Sequence, residues 1–268
     1  MSASETRLRY GSGKYAALSL MAARWLRLLP PGQGPFNYVT LGGTELRDVT
    51  IWHWINSQVL AHVFSFEKDP VRCSLAKETA ERIREKGFEV VVKKDDIFEY
   101  ERNGGALSHI FFIDLEGVCK PRPFINRFRK WLDHGVIGPG DFLLITSYLG
   151  RNPGWDKILA PFDSEFRLLR ISTFGGKRSI YQMAHPLFIL HRALLNAGLN
   201  QELCLNCIGY IKYRDTSTMG LYGIAFSEGQ TRLETLVRGF PAFDMTRGDW
   251  AHGFCVWTDY SKNSIVYA

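Results

Sequence analysis

The sequence predicts an α/β protein whose doubly wound, mostly parallel sheet closes in an antiparallel terminal hairpin. Two patterns carry that expectation. Five short apolar runs alternate with amphipathic helical stretches between Phe36 and Ser147, as parallel strands joined by crossover helices require. Two longer strand-like runs then follow around Asp215-Thr216-Ser217-Thr218 with no helix between them, the arrangement of an antiparallel pair. Length and composition agree. A chain of 268 residues, 46% of them apolar, suffices for one large α/β domain with embellishments or two small ones, and excludes wholesale disorder.

The elements follow in order. The first dozen residues are polar, and Lys14 to Leu29 reads as a helix with Leu18, Met21, Trp25 and Leu29 on one face. Ala16 to Ala23 is apolar behind basic residues, as in a secretion leader, but Arg24 and Arg27 interrupt it and a helix is the expectation. Pro30 to Pro35 forms a stiff linker. Strands are expected at Phe36–Leu41, His62–Phe66, Phe88–Val92, His109–Ile113 and Asp141–Ser147, the fourth following a Gly104-Gly105 loop. Helices are expected at Thr44–Gln58, Pro70–Lys86 with Gly87 as its C-cap, and Arg122–His134. Arg167–Phe174 and Arg178–Met183 around Gly175-Gly176 read as a hairpin, and His185–Asn196 as a helix capped by Gly198. Leu203–Tyr213 and Gly220–Phe226 form the closing hairpin. The chain thus divides into an N-terminal helix and linker (1–35), a main domain (36–227) with the hairpin inserted at about 163–183, and an aromatic, irregular C-terminal extension (228–268).

In open α/β sheets ligands bind beyond the carboxyl ends of the strands, where strand order reverses. Leu41-Gly42-Gly43-Thr44 follows the first strand, where glycines let the backbone approach a ligand and the next helix offers unpaired N–H groups. Glu67, with Lys68 beside it, follows the second strand, and a carboxylate there accepts hydrogen bonds from both hydroxyls of a ribose. Asp95 and Asp96 follow the third. Asp96 is favoured as a partner for the exocyclic amine of adenine because Ile97, an apolar cover for the ring, comes next. Asp114 and Glu116 follow the fourth and are the candidates for acceptor binding or general-base work. Each position also has a plain structural reading as a turn, a cap or a surface acid. Their recurrence at four successive strand ends is what favours a site.

With these residues in register the chain resembles the class I S-adenosylmethionine (SAM)-dependent methyltransferase family, over about Phe36 to Phe226. The resemblance implies a Rossmann-like domain with a glycine-rich turn after strand one (Gly42-Gly43), a ribose-binding acid after strand two (Glu67) and an adenine-binding acid after strand three (Asp96). It further implies an acceptor motif after strand four (Asp114 to Gly117) and a closing antiparallel hairpin (Leu203 to Phe226). The family loop is E/D-x-G-x-G-x-G, whereas Thr40 stands here in place of the acid and the third glycine is missing. The D/N-P-P-Y/F tetrad of amino-methyltransferases is absent too. Asp114-Leu115-Glu116-Gly117 with Pro121 and Pro123-Phe124 loosely resembles the motif of some RNA guanine methyltransferases, at a different spacing.

The formal net charge of +6 suits an anionic partner such as nucleic acid or a nucleotide. Lys120, Arg122, Arg127, Arg129 and Lys130, interleaved with Phe124, Phe128 and Trp131, form the densest basic patch. Cations on phosphates with bases stacked on the rings is one reading, and a solvated helix docked on its sheet through those rings is the other. Gly175-Gly176-Lys177-Arg178-Ser179 lacks the first glycine of a phosphate loop. Cys204-x-x-Cys207 lies in a strand, where residues three apart face opposite ways, so no metal is expected there or with His252 and Cys255. His53, between two tryptophans, reads as packing. Five cysteines without framework spacing fit reduced thiols in a cytoplasmic protein, and no run has the length of a membrane span.

Three functions follow. The first is a methyltransferase with SAM over Gly42-Gly43, gripped by Glu67 and Asp96, and an acceptor near Asp114 and Glu116. The second is a degenerate scaffold of the same fold that binds nucleic acid or a protein. The third is a nicotinamide-dependent oxidoreductase, since Gly42-Gly43 and Glu67 also suit NAD.

Overall fold

The computed structural model describes residues 12–85, 89–102, 105, 107–115, 120–149, 157, 160–162, 177–214, 217–233, 236, 241–245, 256–259 and 264–267. Helix α1 (Ser12–Leu28) precedes strand β1 (Phe36–Thr40), and the chain then alternates through α2 (Arg47–Ile55), β2 (Leu60–Phe66), α3 (Pro70–Arg84), β3 (Val90–Lys93), β4 (His109–Ile113), α4 (Pro121–Asp133) and β5 (Phe142–Tyr148). Helix α5 (Lys177–Ala197) leads to β6 (Leu203–Arg214), β7 (Thr218–Glu228) and three short strands, β8 (Pro241–Asp244), β9 (Val256–Asp259) and β10 (Ser264–Tyr267). All ten join one sheet in the order β10-β9-β8-β6-β7-β5-β4-β1-β2-β3. Strands β1 to β5 are mutually parallel, while β7 lies antiparallel between β5 and β6. The doubly wound α/β architecture with a closing antiparallel hairpin is therefore observed.

Alternation along the strands explains the two layers. Phe36 and Tyr38 of β1, Ile110 and Phe112 of β4, and Phe142 and Leu144 of β5 face one core, with Ala17, Leu18, Met21 and Trp25 of α1 and Val49 and Trp52 of α2. Trp25 stacks on Phe142 with ring centroids 4.4 Å apart. Val39, Phe111, Ile113, Leu143 and Ile145 face the other core, with Phe124, Phe128 and Trp131 of α4 and Leu187, Leu190 and Leu194 of α5. All five residues of β4 are buried, as a central parallel strand covered on both faces must be.

Two segments differ from expectation. The expected strand Arg178–Met183 is the beginning of α5, and its expected partner Arg167–Phe174 lies outside the described residues. Ile180, Met183, Leu187, Leu190 and Leu194 continue one helical period, and a 21-residue helical pattern outweighs a short β-favouring run beside two glycines. The stretch after Glu228, irregular in the sequence, contributes β8 to β10. These strands have four residues each, too short for alternation to show, although aromatic and β-branched residues such as Trp257, Ile265, Val266 and Tyr267 favour extended backbone. Helix α2 also starts three residues later than expected, because Leu46 adopts a left-handed conformation (φ 47°) just before it.

Candidate active site

Strand order reverses between β1 and β4, so the crevice of a doubly wound sheet lies beyond their carboxyl ends. Leu41 extends β1 by one hydrogen bond, its N–H donating to the Phe112 carbonyl at 3.2 Å. A Cβ on Gly42 would lie 2.7 Å from Cδ2 of Leu46 and 3.1 Å from Oγ of Ser65, so a side chain there would have to displace these neighbours. Gly43 has φ +59° and open space where a side chain would stand. Oγ of Ser65 is buried and without a hydrogen-bond partner beside the turn. Thr44 accepts at its carbonyl from Thr79 Oγ1 of α3 at 2.8 Å.

At the end of β2, Glu67 Oε1 accepts from the backbone N–H of Asp69 at 3.0 Å. Asp69 in turn caps α3, accepting from Val71 N and Arg72 N at 2.9 Å. Lys68 reaches across to Asp96 at 2.6 Å, and Arg127 of α4 approaches the same oxygen at 3.3 Å. Asp96 also accepts from Phe98 N at 3.2 Å. Partial burial works against its ionisation, but Lys68, the Phe98 N–H and Arg127 together hold it below the usual carboxylate range. Ile97 is 1% exposed and belongs to the core beneath this corner.

At the end of β4, Asp114 pairs with Lys14 of α1 through Oδ2 and accepts from Thr146 Oγ1 through Oδ1 at 2.8 Å. Thr146 Oγ1 accepts in turn from the Leu115 N–H at 2.8 Å. A carboxylate with a partner on each oxygen is fixed in orientation. Such a group suits holding an acceptor, or receiving its proton on a remaining lone pair, better than a freely rotating base does. Glu116 and Gly117 lie outside the described residues. Lys120 and Arg122 begin α4 directly beyond Asp114, and both are exposed.

Three participants escape sequence reading. Lys14 and Asp114 are a hundred positions apart, and nothing local couples them. Thr146 is one of two small polar residues, with Ser147, at the end of an otherwise apolar strand. Asp48, in the first turn of α2, is fully buried and accepts from Thr40 Oγ1 at 2.6 Å and Tyr38 OH at 2.8 Å. Burial pushes its carboxyl up despite those two hydroxyls. A threonine at a strand end with an acid eight residues on was the available signal.

The aromatic residues of α4 settle one open question. Phe124, Phe128 and Trp131 are all buried against the sheet, so none presents a ring for base stacking. Arg127, Arg129 and Lys130 pair with Asp96, Asp133 and Glu99. Cys73, Cys204 and Cys207 are free thiols, and no cluster of metal-ligating residues occurs among the described residues. His252, Cys255 and Gly175-Gly176 lie outside those residues. No described helix is long and apolar enough to cross a membrane.

No protein-family profile matches the chain, and no curated protein matches it. Among solved structures it is similar to SAM-bound magnesium protoporphyrin IX methyltransferase from Synechocystis PCC 6803, with TM-score 0.47 and 9% identity over 84% of this chain and 85% of that one. It is also similar to the plantazolicin methyltransferase in complex with SAH (TM-score 0.46, 10% identity, 83% and 88% covered). A third similar structure is wild-type Trm5b from Pyrococcus abyssi (TM-score 0.44, 12% identity), of which this chain, 78% covered, spans about half (49%).

Proposed function

We propose that the protein is a SAM-dependent methyltransferase acting on an anionic acceptor such as nucleic acid. The observation that carries this reading is the register of four strand ends. The parallel pairing of β3, β2, β1 and β4 brings their carboxyl ends, followed by Asp96, Glu67, Gly42-Gly43 and Asp114, to one rim, and β7 runs antiparallel between β5 and β6, as the resemblance implies.

The residues present fit the cofactor at two of three points. Gly43 leaves backbone open, and the orphaned Ser65 hydroxyl lies beside its neighbour Gly42. Glu67 uses one carboxylate oxygen on Asp69, and the other is available to a ribose hydroxyl. Asp96 is already engaged by Lys68 and Arg127, so meeting an adenine amine requires one of these to let go. Bound SAM would supply an electrophilic methyl group, leaving the protein chiefly to align the acceptor. Asp114, fixed by Thr146 and Lys14, orients that acceptor, and the exposed Lys120 and Arg122 draw its negative charge toward the rim.

Calorimetric titration tests the cofactor half. Micromolar SAM binding that weakens tenfold or more in Glu67→Ala is expected, and no heat at millimolar SAM would sink the reading. A parallel titration that detects tight NADH binding instead would select the oxidoreductase. Nucleic-acid binding without SAM binding would select the scaffold.

A further inference from the structure

The N-terminal helix belongs to the site. A Cβ on Gly13 would lie 2.4 Å from the Arg214 carbonyl oxygen, so the first turn of α1 sits directly on the end of β6. From that seat the Lys14 ammonium reaches Asp114, 5.9 Å from the Phe112 ring centroid and 5.5 Å from that of Tyr15. The two side chains are each about one-fifth exposed, so the pair remains in contact with solvent at the carboxyl end of β4. Burial works against the Lys14 charge, but Asp114 and, more weakly, Asp48 outweigh it and raise its pKa. The lysine therefore stays charged at neutral pH.

We propose that Lys14 sets the charge at the transfer locus by cancelling Asp114, making it a specificity-determining residue between the cationic cofactor and its neutral product. This rests on the reading that SAM occupies the crevice. SAM carries a positive sulfonium, and its demethylated product (SAH) has a neutral thioether in the same place. A bare carboxylate beside that sulfur favours the cation, and an interaction stronger in the ground state than in the transition state slows transfer. An ammonium on the carboxylate removes that bias while leaving the carboxylate in place.

Calorimetry with SAM and SAH as separate ligands of the full chain tests this, read as the ratio of their dissociation constants. A purely structural lesion weakens both ligands together and leaves the ratio alone. Lys14→Met is expected to shift the ratio about tenfold toward SAM, as one unscreened charge at short range does. Asp114→Asn is expected to shift it toward SAH, and Lys14→Arg to leave it unchanged. If Lys14→Met does not fold, the Asp114→Asn ratio decides alone. An unchanged ratio, with both ligands still bound, overturns the inference and leaves the methyltransferase reading standing. Failure of the wild-type chain to bind either ligand overturns both.

Discussion

Asp141 and His109 share a buried corner at the rim opposite the crevice. Asp141 accepts from the His109 N–H at 2.7 Å, the Gly138 N–H at 2.8 Å and Arg102 at 2.9 Å. The His109 ring lies 2.9 Å from the Tyr100 hydroxyl and 3.3 Å from the Asn37 amide. Burial lifts Asp141 to about 6 although Arg102 opposes it, and burial with Arg102 presses His109 down to about 4. The two act in opposite senses on folding. Asp141, raised on folding, contributes stability that is complete below its unfolded value near 4 and is lost as pH rises through about 6. His109, depressed on folding, contributes stability that is complete above 6.5 and is lost as pH falls through about 4. Each is worth on the order of 2–3 kcal/mol, so in the wild type they largely cancel between pH 4 and 6.5. Replacing His109 with Asn unmasks Asp141, and urea denaturation should then find the variant losing ~2 kcal/mol relative to wild type as pH rises from 4 to 6.5. Equal pH slopes would refute this. At this scale the sequence was informative where a strand end fixes the position, as at Gly42, Glu67, Asp96 and Asp114. It was silent where partners meet through tertiary packing, as with Lys14 on Asp114 or Lys68 and Arg127 on Asp96.

Among the elements, α1 and α4 show how an amphipathic pattern resolves. The rings of α4 point into the core and its cations outward, which is the pattern that was ambiguous in sequence because stacking platform and docking face have the same spacing. Helix α1 buries Trp25 between Phe36, Trp52 and Phe142. Trp25→Ala should therefore cost about 3–5 kcal/mol in urea unfolding. Trp54 on α2 is 82% exposed, and Trp54→Ala should stay within about 0.5 kcal/mol. Similar losses for the two would contradict this packing. Strands β1, β4 and β5 were legible because buried parallel strands are apolar runs bounded by turn residues. The start of α5 was not, since Gly175-Gly176 supplies a hairpin signal locally while the helical period that wins is visible only over 21 residues.

For the whole molecule, with a net charge of +6, the cations beside the crevice differ in whether they are paired. Lys120 and Arg122 stand exposed at the crevice rim, whereas Arg127, Arg129 and Lys130 of the same helix are consumed by neighbouring acids. If the acceptor is nucleic acid, reversing both to Glu should weaken binding of a single-stranded oligonucleotide. It should also flatten the plot of log affinity against log salt by about 1.4, as loss of two phosphate contacts does. Reversing the paired Arg129 should leave that slope unchanged. An unaltered slope in the double variant would move the nucleic acid off this rim. The overall architecture was readable because alternating elements admit few topologies. The neighbour relation of β7 to β5, which skips β6, is a long-range fact that no local pattern encodes.

The seat of Gly13 on Arg214 also has a temporal side. During synthesis α1 leaves the ribosome before every strand of the sheet, yet the backbone it rests on, the end of β6, is made after β1 to β5. The ammonium of Lys14 thus has no fixed address on the nascent chain until β6 has been translated and paired. A chain stalled before β6 therefore lacks the support that brings Lys14 to Asp114, whatever the state of the strands already formed.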